Sequence, residues 1–125
     1  MQFRSALIAV IAVMAATAPT ARADGDVQAG EALFKKNCMV CHTTEAGKNK
    51  IGPSLSGVVG RHSASVPDFA YSDAMKKADK TWDDQTLGTY LTNPRALVPG
   101  TKMIFLGFKN DQDRQNIIAY LATLK

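Results

Sequence analysis

Two cysteines three positions apart, with a histidine directly after the second, form the segment Cys38-Met39-Val40-Cys41-His42. C-x-x-C-H is the attachment signature of covalently bound haem. The spacing places both sulfurs on one side of a turn, where they can add across the two vinyl groups of one porphyrin edge. His42, next along, can then point its imidazole at the iron. Three other uses of the same atoms stand beside this one. A thioredoxin-like dithiol wants flanking strands, and no β-alternation of useful length occurs. A zinc site needs four ligands, yet the only other histidine is His62, and Cys41 and His42 are adjacent rather than spaced as structural zinc pairs are. A Cys38–Cys41 disulfide would close too short a loop to add much stability, although export would permit one.

A haem iron held by one histidine has an open face, and what fills it separates a carrier from a haem enzyme or gas sensor. The candidates are Met39, Met75, Met103 and His62. Met39 lies inside the attachment turn and cannot reach across the ring. Met103 sits in Pro99-Gly100-Thr101-Lys102-Met103-Ile104-Phe105, where a Pro-Gly turn can aim a flexible thioether inward while apolar neighbours seal it. Met103 is therefore the chosen ligand. Met75 reads as core filling, and His62, between Arg61 and Ser63, as a surface residue.

These groups need elements to position them. Asp26 can cap a helix carrying Val27, Gly30, Leu33 and Phe34 inward until Asn37 stops it beside Cys38. Gly30 on that face would let another helix approach closely. Asn110 or Asp111 can cap a last helix whose Ile117, Ile118, Leu121 and Leu124 form one apolar face. The two terminal helices thus read as packed partners. Between them, residues 47–70 are rich in Gly, Ser and Pro and read as a long loop. A free loop of that length is uncommon in a compact domain, and this one makes better sense wrapped around a large ligand. Short helices follow from Ser72, from near Asp83 with Leu87, Tyr90 and Leu91 inward, and from Pro94. Pro99-Gly100 then opens a second loop, 101–108.

At 125 residues the chain is one domain's worth. Arg4, the apolar run Ala6 to Ala16 and the small residues of Ala21-Arg22-Ala23 read as a secretory signal peptide, residues 1–23, cleaved after Ala23. Its apolar run is shorter than the ~20 residues a membrane-crossing helix needs, so no integral span is expected. The single domain is then 24–125. Losing Arg4 and Arg22 leaves 13 basic residues against 11 acidic, a net charge of +2 where the full chain has +4. That is too mild for nucleic-acid binding by bulk charge, so any electrostatic role depends on where the lysines stand.

Beyond the attachment turn, the order Gly25-Asp26-Val27, Gly52-Pro53, Gly60-Arg61, Phe69-Ala70-Tyr71-Ser72-Asp73-Ala74, Trp82, Tyr90, Asn93-Pro94, Pro99 to Phe105 and Ile118-Ala119-Tyr120-Leu121 resembles the class I cytochromes c. The type most similar is the short bacterial one closest to mitochondrial cytochrome c, and the resemblance covers the whole of 24–125. It implies an all-α fold in which the N- and C-terminal helices pack together, with short helices and long loops around one haem c joined through Cys38 and Cys41. It also implies His42 and Met103 as axial ligands and the Pro53 carbonyl as acceptor of a hydrogen bond from His42. Tyr71, Trp82 and, less directly, Arg61 resemble the groups that hold the haem propionates. Their logic stands on its own, because a buried carboxylate is costly without donors or a cation around it. Tyr90 and Thr101 resemble the polar residues on the methionine side.

The resemblance implies a monomeric periplasmic electron carrier rather than an enzyme. Its partners would be redox proteins with acidic docking surfaces, a cytochrome bc-type complex as donor and an oxidase or reaction centre as acceptor. The sequence departs from the mitochondrial pattern in several places. Met75 stands where asparagine is common, Leu106 replaces a smaller residue beside the haem edge, and Asn37 and Ala96 replace docking lysines. Lys36, Lys50, Arg95, Lys102 and Lys109 remain as the expected basic rim.

Overall fold

Five short polar side chains open five helices. The computed structural model describes residues 25–125, so the expected signal peptide and its cleavage after Ala23 lie outside the described residues. Asp26 accepts from the Ala29 amide and starts α1 (Val27–Asn37), and Ser72 accepts from Met75 and starts α2 (Asp73–Ala78). Asp83, Asn93 and Asn110 do the same for α3 (Asp84–Thr92), α4 (Pro94–Leu97) and α5 (Asp111–Leu121). Each cap gives a partner to an amide that has none within its helix, which is why the starts were legible in the sequence. Among the described residues there is no strand, only an isolated bridge between His62 and Thr81.

The packing of α1 on α5 is closer than side chains alone would allow. A Cβ on Gly30 would lie 2.0 Å from the Asn116 carbonyl oxygen, so only glycine lets the two backbones meet there. Asn116 is buried, and its Oδ1 accepts from the Asp26 amide at 2.8 Å, which joins the start of α1 to the middle of α5. Phe34 and Tyr120 pack at 5.4 Å between ring centroids, and Ile117 and Leu121 are buried below them. Val27 does not join this face. It is 43% exposed, because the first turn of α1 lies at the rim of a groove bordered by α3 and α5 rather than over the core.

The core continues through Leu87, Tyr90 and Leu91 of α3 to Val98, Trp82 and Phe108. Gly107, with φ of 98°, turns the chain into α3 so tightly that a Cβ would lie 1.9 Å from the Thr92 oxygen, and the Phe108 amide then bonds the Leu91 carbonyl at 2.7 Å. The long loop is irregular but tied down. Gly57 donates to Leu124, Gly60 to Trp82, Trp82 to Arg61 and Ser63 to Lys80, so residues 57–63 are held against the C-terminus and the approach to α3.

Candidate functional site: a cavity between the attachment turn and the methionine loop

α1 delivers the attachment turn. Beyond its last residue, the Cys38 and Met39 amides both bond the Phe34 carbonyl, and the Cys41 and His42 amides return to Cys38, so the motif winds directly off the helix end. The loop that follows folds back on it, with Gly52 donating to the Cys41 carbonyl and Leu55 to that of Thr43. This places the Pro53 carbonyl 2.7 Å from His42 Nδ1. A carbonyl only accepts, so Nδ1 carries the proton and the lone pair is left on Nε2, the tautomer a metal ligand needs. Burial holds the imidazole below its ordinary pKa, although the Pro53 hydrogen bond works in the other direction. Cys38 and Cys41 are unbridged thiols, and burial, with Cys41 adding to it, pushes Cys38 up to about 11. Among the described residues no group of three or more His, Cys, Asp or Glu side chains gathers to hold a metal ion.

Cys38, Cys41 and His42 form one wall of a cavity of about 310 Å³. Ile51 and Gly52 continue that wall. Phe69, Tyr71, Ser72 and Met75 supply a second from the start of α2, and Thr101 to Phe105 supply a third. A smaller space of about 70 Å³, lined by Pro53, Leu55, Val58, Arg61, Ala64, Trp82, Leu87 and Tyr90, shares Tyr71 and Met75 with it. The larger cavity is within the ~300–1,000 Å³ of cofactor sites. No carboxylate lines it, and Lys102 is its one charged lining residue, so the chemistry of its wall is two thiols, an oriented imidazole, hydroxyls, thioethers and apolar rings. A flat, mostly apolar ring system carrying a soft metal fits this set.

The ten residues expected at the site all line one space or the other. Cys38, Cys41, His42, Tyr71, Thr101 and Met103 face the larger one, and Pro53, Arg61, Trp82 and Tyr90, with Tyr71 again, face the smaller. Tyr90 and Thr101 share a hydrogen bond of 3.1 Å between hydroxyls, and Thr101 Oγ1 also accepts from the Met103 amide at 3.3 Å. Arg61 is half-buried and donates to the Ser56 carbonyl, while the Tyr71 hydroxyl accepts from the Val66 amide.

Other expectations need correction. The methionine loop is not sealed by all its apolar residues. From Thr101 to Leu106 exposure alternates, with Thr101, Met103 and Phe105 inward and Lys102, Ile104 and Leu106 outward. The segment is extended, and an extended chain sends successive side chains to opposite sides. Of the apolar residues that follow Met103 up to Leu106, only Phe105 turns inward, stacking edge-on against Phe108 at 5.0 Å. Met75 does more than fill the core, because it lines both spaces. Sequence reasoning named Gly52, Phe69 and Ser72 among the residues that carry the resemblance, and Ser72 as a helix start, but assigned none of them to the site. The tertiary arrangement brings all three to the wall, and no periodicity marked them. Met39 is half exposed and lies off the wall, and His62 is exposed and pairs with Asp79 Oδ1 at 2.9 Å.

A helical shell with an attachment turn on one wall of an apolar cavity defines a covalent haem protein of the single-domain, all-α class. The chain belongs to the cytochrome c family: the family model described as Cytochrome c matches residues 27–125. It is similar to cytochrome c2 of Rhodomicrobium vannielii, with 48% identity over 117 residues, 93% of this chain and 93% of that protein. It is likewise similar to cytochrome c of Kluyveromyces lactis, with 47% identity over 98 residues, 78% of this chain and 89% of the other. Cytochrome c2 of Blastochloris viridis is 43% identical over 119 residues, 94% of this chain and 91% of that protein. The fold is the class I cytochrome c fold, the cofactor is haem c attached through Cys38 and Cys41, and the protein is a haem-containing electron carrier.

Proposed function

We propose that the protein shuttles single electrons in the periplasm, with His42 and Met103 as axial iron ligands, and that it is not an enzyme. The observation that carries this reading is that His42, held by Pro53, and Met103, held through Thr101, both line the one cavity that also contains the two thiols. The haem iron, when bound, supplies the one-electron change between ferrous and ferric states. The residues determine how easily that change occurs. A thioether ligand and an apolar wall both favour the ferrous form, so a high-potential carrier is expected. Pro53 orients His42 and raises its basicity. Tyr71, Trp82 and Arg61 offer donors and a cation at the end of the site where propionates would sit, and the Tyr90–Thr101 pair steadies the methionine loop.

The remaining parts of the reading are the leader 1–23 cleaved after Ala23, a single domain over 24–125, a monomer, and partners with acidic docking faces. A cytochrome bc-type complex is proposed as donor and an oxidase or reaction centre as acceptor. The relatives named cytochrome c2 support the bacterial setting, and no described helix is long and apolar enough to cross a membrane. Lys36 and Arg95 are exposed, Lys102 lines the cavity and donates to the Ala70 carbonyl, and Lys50 and Lys109 donate to the Met39 and Leu106 carbonyls.

The test is Met103→Ala in natively matured protein. Loss of the low-spin oxidised spectrum, a fall in potential and new rapid binding of carbon monoxide to the reduced form are expected. An unchanged oxidised spectrum and potential, or carbon monoxide binding by the unaltered protein at neutral pH, would refute the ligand and the carrier reading with it.

A further inference from the structure

The electron-carrier reading uses one of the chain's two histidines and leaves His62 without a role. Its ring is nonetheless held as that of His42 is. His62 Nδ1 lies 2.9 Å from the Ser63 carbonyl, as His42 Nδ1 lies 2.7 Å from that of Pro53. A carbonyl only accepts, so Nδ1 carries the proton and the neutral ring presents the lone pair of Nε2. Opposite that lone pair, at 2.9 Å, stands Asp79 Oδ1, and an ionised carboxylate also only accepts. Two acceptors face each other at hydrogen-bond distance, so a cation must lie between them. A proton fills that place in acid. The spacing also suits a metal ion, because two ligands each ~2.0–2.2 Å from one ion and 90–110° apart are separated by about 2.8–3.6 Å.

The backbone around the pair is fixed independently of any ion. His62 and Thr81 form the isolated bridge, the Ser63 amide donates to the Lys80 carbonyl at 2.7 Å, and the Lys80 amide returns to the buried Ser63 Oγ at 2.9 Å. Asp79 is left-handed, with φ of 50°, where glycine is the least strained residue. What aspartate supplies there instead is a carboxylate aimed at His62. The two side chains are 57% and 87% exposed, so water reaches both and can complete an ion's shell. Arg61, next in the chain, turns its guanidinium to the Ser56 carbonyl, and among the described residues Asp79 is the one charged group that acts on the His62 ring. An imidazole nitrogen with a carboxylate oxygen selects zinc(II), nickel(II) or copper(II) over calcium and magnesium, which take oxygen ligands. We propose that His62 Nε2 and Asp79 Oδ1 chelate one such divalent ion, with water in its remaining positions. The ion clasps the two ends of the segment 62–79. That segment supplies Phe69, Tyr71, Ser72 and Met75 to the haem cavity, so the ion steadies one wall of the site without touching the cofactor.

The experiment titrates zinc(II), which has no redox chemistry of its own, into mature ferrous holoprotein at about pH 8, where a free imidazole is neutral. With His42 on the haem iron, as proposed above, His62 is the imidazole left to bind. One zinc ion per protein is expected, with a shift of the His62 ring signals in the proton NMR spectrum. At zinc ten times its Kd, hydrogen exchange of the amides in 63–79 slows about tenfold. His62→Gln abolishes all three effects. Asp79→Asn, whose asparagine suits the left-handed position, weakens binding by at least the ~10–100-fold that loss of a supporting hydrogen bond costs a metal site. Haem content, absorption spectrum and reduction by ascorbate remain those of the parent in both variants. No saturable binding up to about 1 mM zinc overturns the proposal. So does parent-like affinity in either variant, which would mean that the ion binds elsewhere or that the histidine binds it alone. Zinc bound at His62 with exchange of 63–79 unchanged overturns the clasp. Haem content and ascorbate reduction are read on the same samples, so failure of the metal site is distinct from failure of the carrier reading.

Discussion

Gly52 lies directly against the imidazole of His42: a methyl group at residue 52 would sit 2.4 Å from Cε1 and 2.7 Å from Nδ1. The ring is thus fixed from two sides, by the Pro53 carbonyl on Nδ1 and by backbone against its face. Gly52→Ala must push the ring off that hydrogen bond, and overpacking of this kind costs about 1–3 kcal/mol. Guanidinium unfolding and the oxidised absorption spectrum should both change. Pro53→Ala keeps the carbonyl and should leave the spectrum close to the parent's.

A comparable test applies to the helix pair. Gly30→Ala would place its Cβ 2.0 Å from the Asn116 oxygen, which is backbone and cannot swing aside. The two helices must separate, loosening Phe34 from Tyr120 and straining the Asp26–Asn116 bond. A loss of about 3 kcal/mol or more is expected by chemical denaturation, at the upper end of overpacking effects. A parent-like midpoint would show that the contact is not close in solution.

The Tyr90–Thr101 hydroxyl pair joins α3 to the methionine loop. Burial raises the Tyr90 phenol above its ordinary pKa, which keeps the hydroxyl protonated and the pair intact through the mildly alkaline range. In a double-mutant cycle, Tyr90→Phe and Thr101→Val should show a coupling of about 1 kcal/mol in unfolding free energy. Additive effects would mean that the two hydroxyls do not support each other.

His62 and Asp79 form an exposed pair, and the hydrogen bond to Asp79 raises the histidine pKa above its ordinary value. A folded-state pKa above the unfolded one means that the protonated form is the stabilised one. The contribution is therefore complete below the unfolded value of about 6.5 and is lost as pH rises through the folded pKa. Asp79→Asn should bring the His62 titration, followed by proton NMR, back toward the ordinary value and flatten the fall in stability that begins above the unfolded value of about 6.5.

Haem removal should cost the fold itself. Leaving a dry cavity of about 310 Å³ would cost up to about 7 kcal/mol at ~24 cal/mol per Å³, comparable with the whole stability of a small domain. Water entering the open mouth lowers that figure, but the wall loses its packing either way. A Cys38→Ala/Cys41→Ala chain that retains no haem should show far-UV circular dichroism well below that of the holoprotein.

Much of this architecture was readable one residue at a time because the interactions behind it are local. Asp26, Ser72, Asp83 and Asn110 cap the next turn of their own chain, and the apolar face of α5 recurs at a helical period. The attachment motif holds its chemistry in five consecutive residues. The contacts that position the site are not local. That Gly30 meets Asn116, that Gly52 meets the His42 ring, that Met75 lines both spaces and that His62 finds Asp79 depends on segments 10 to 86 positions apart coming together. The outward turn of Ile104 and Leu106 was likewise decided in three dimensions. A loop carries no helical period to mark its faces, and only its extended course between α4 and α5 determines which of its apolar residues are buried and which stand in solvent.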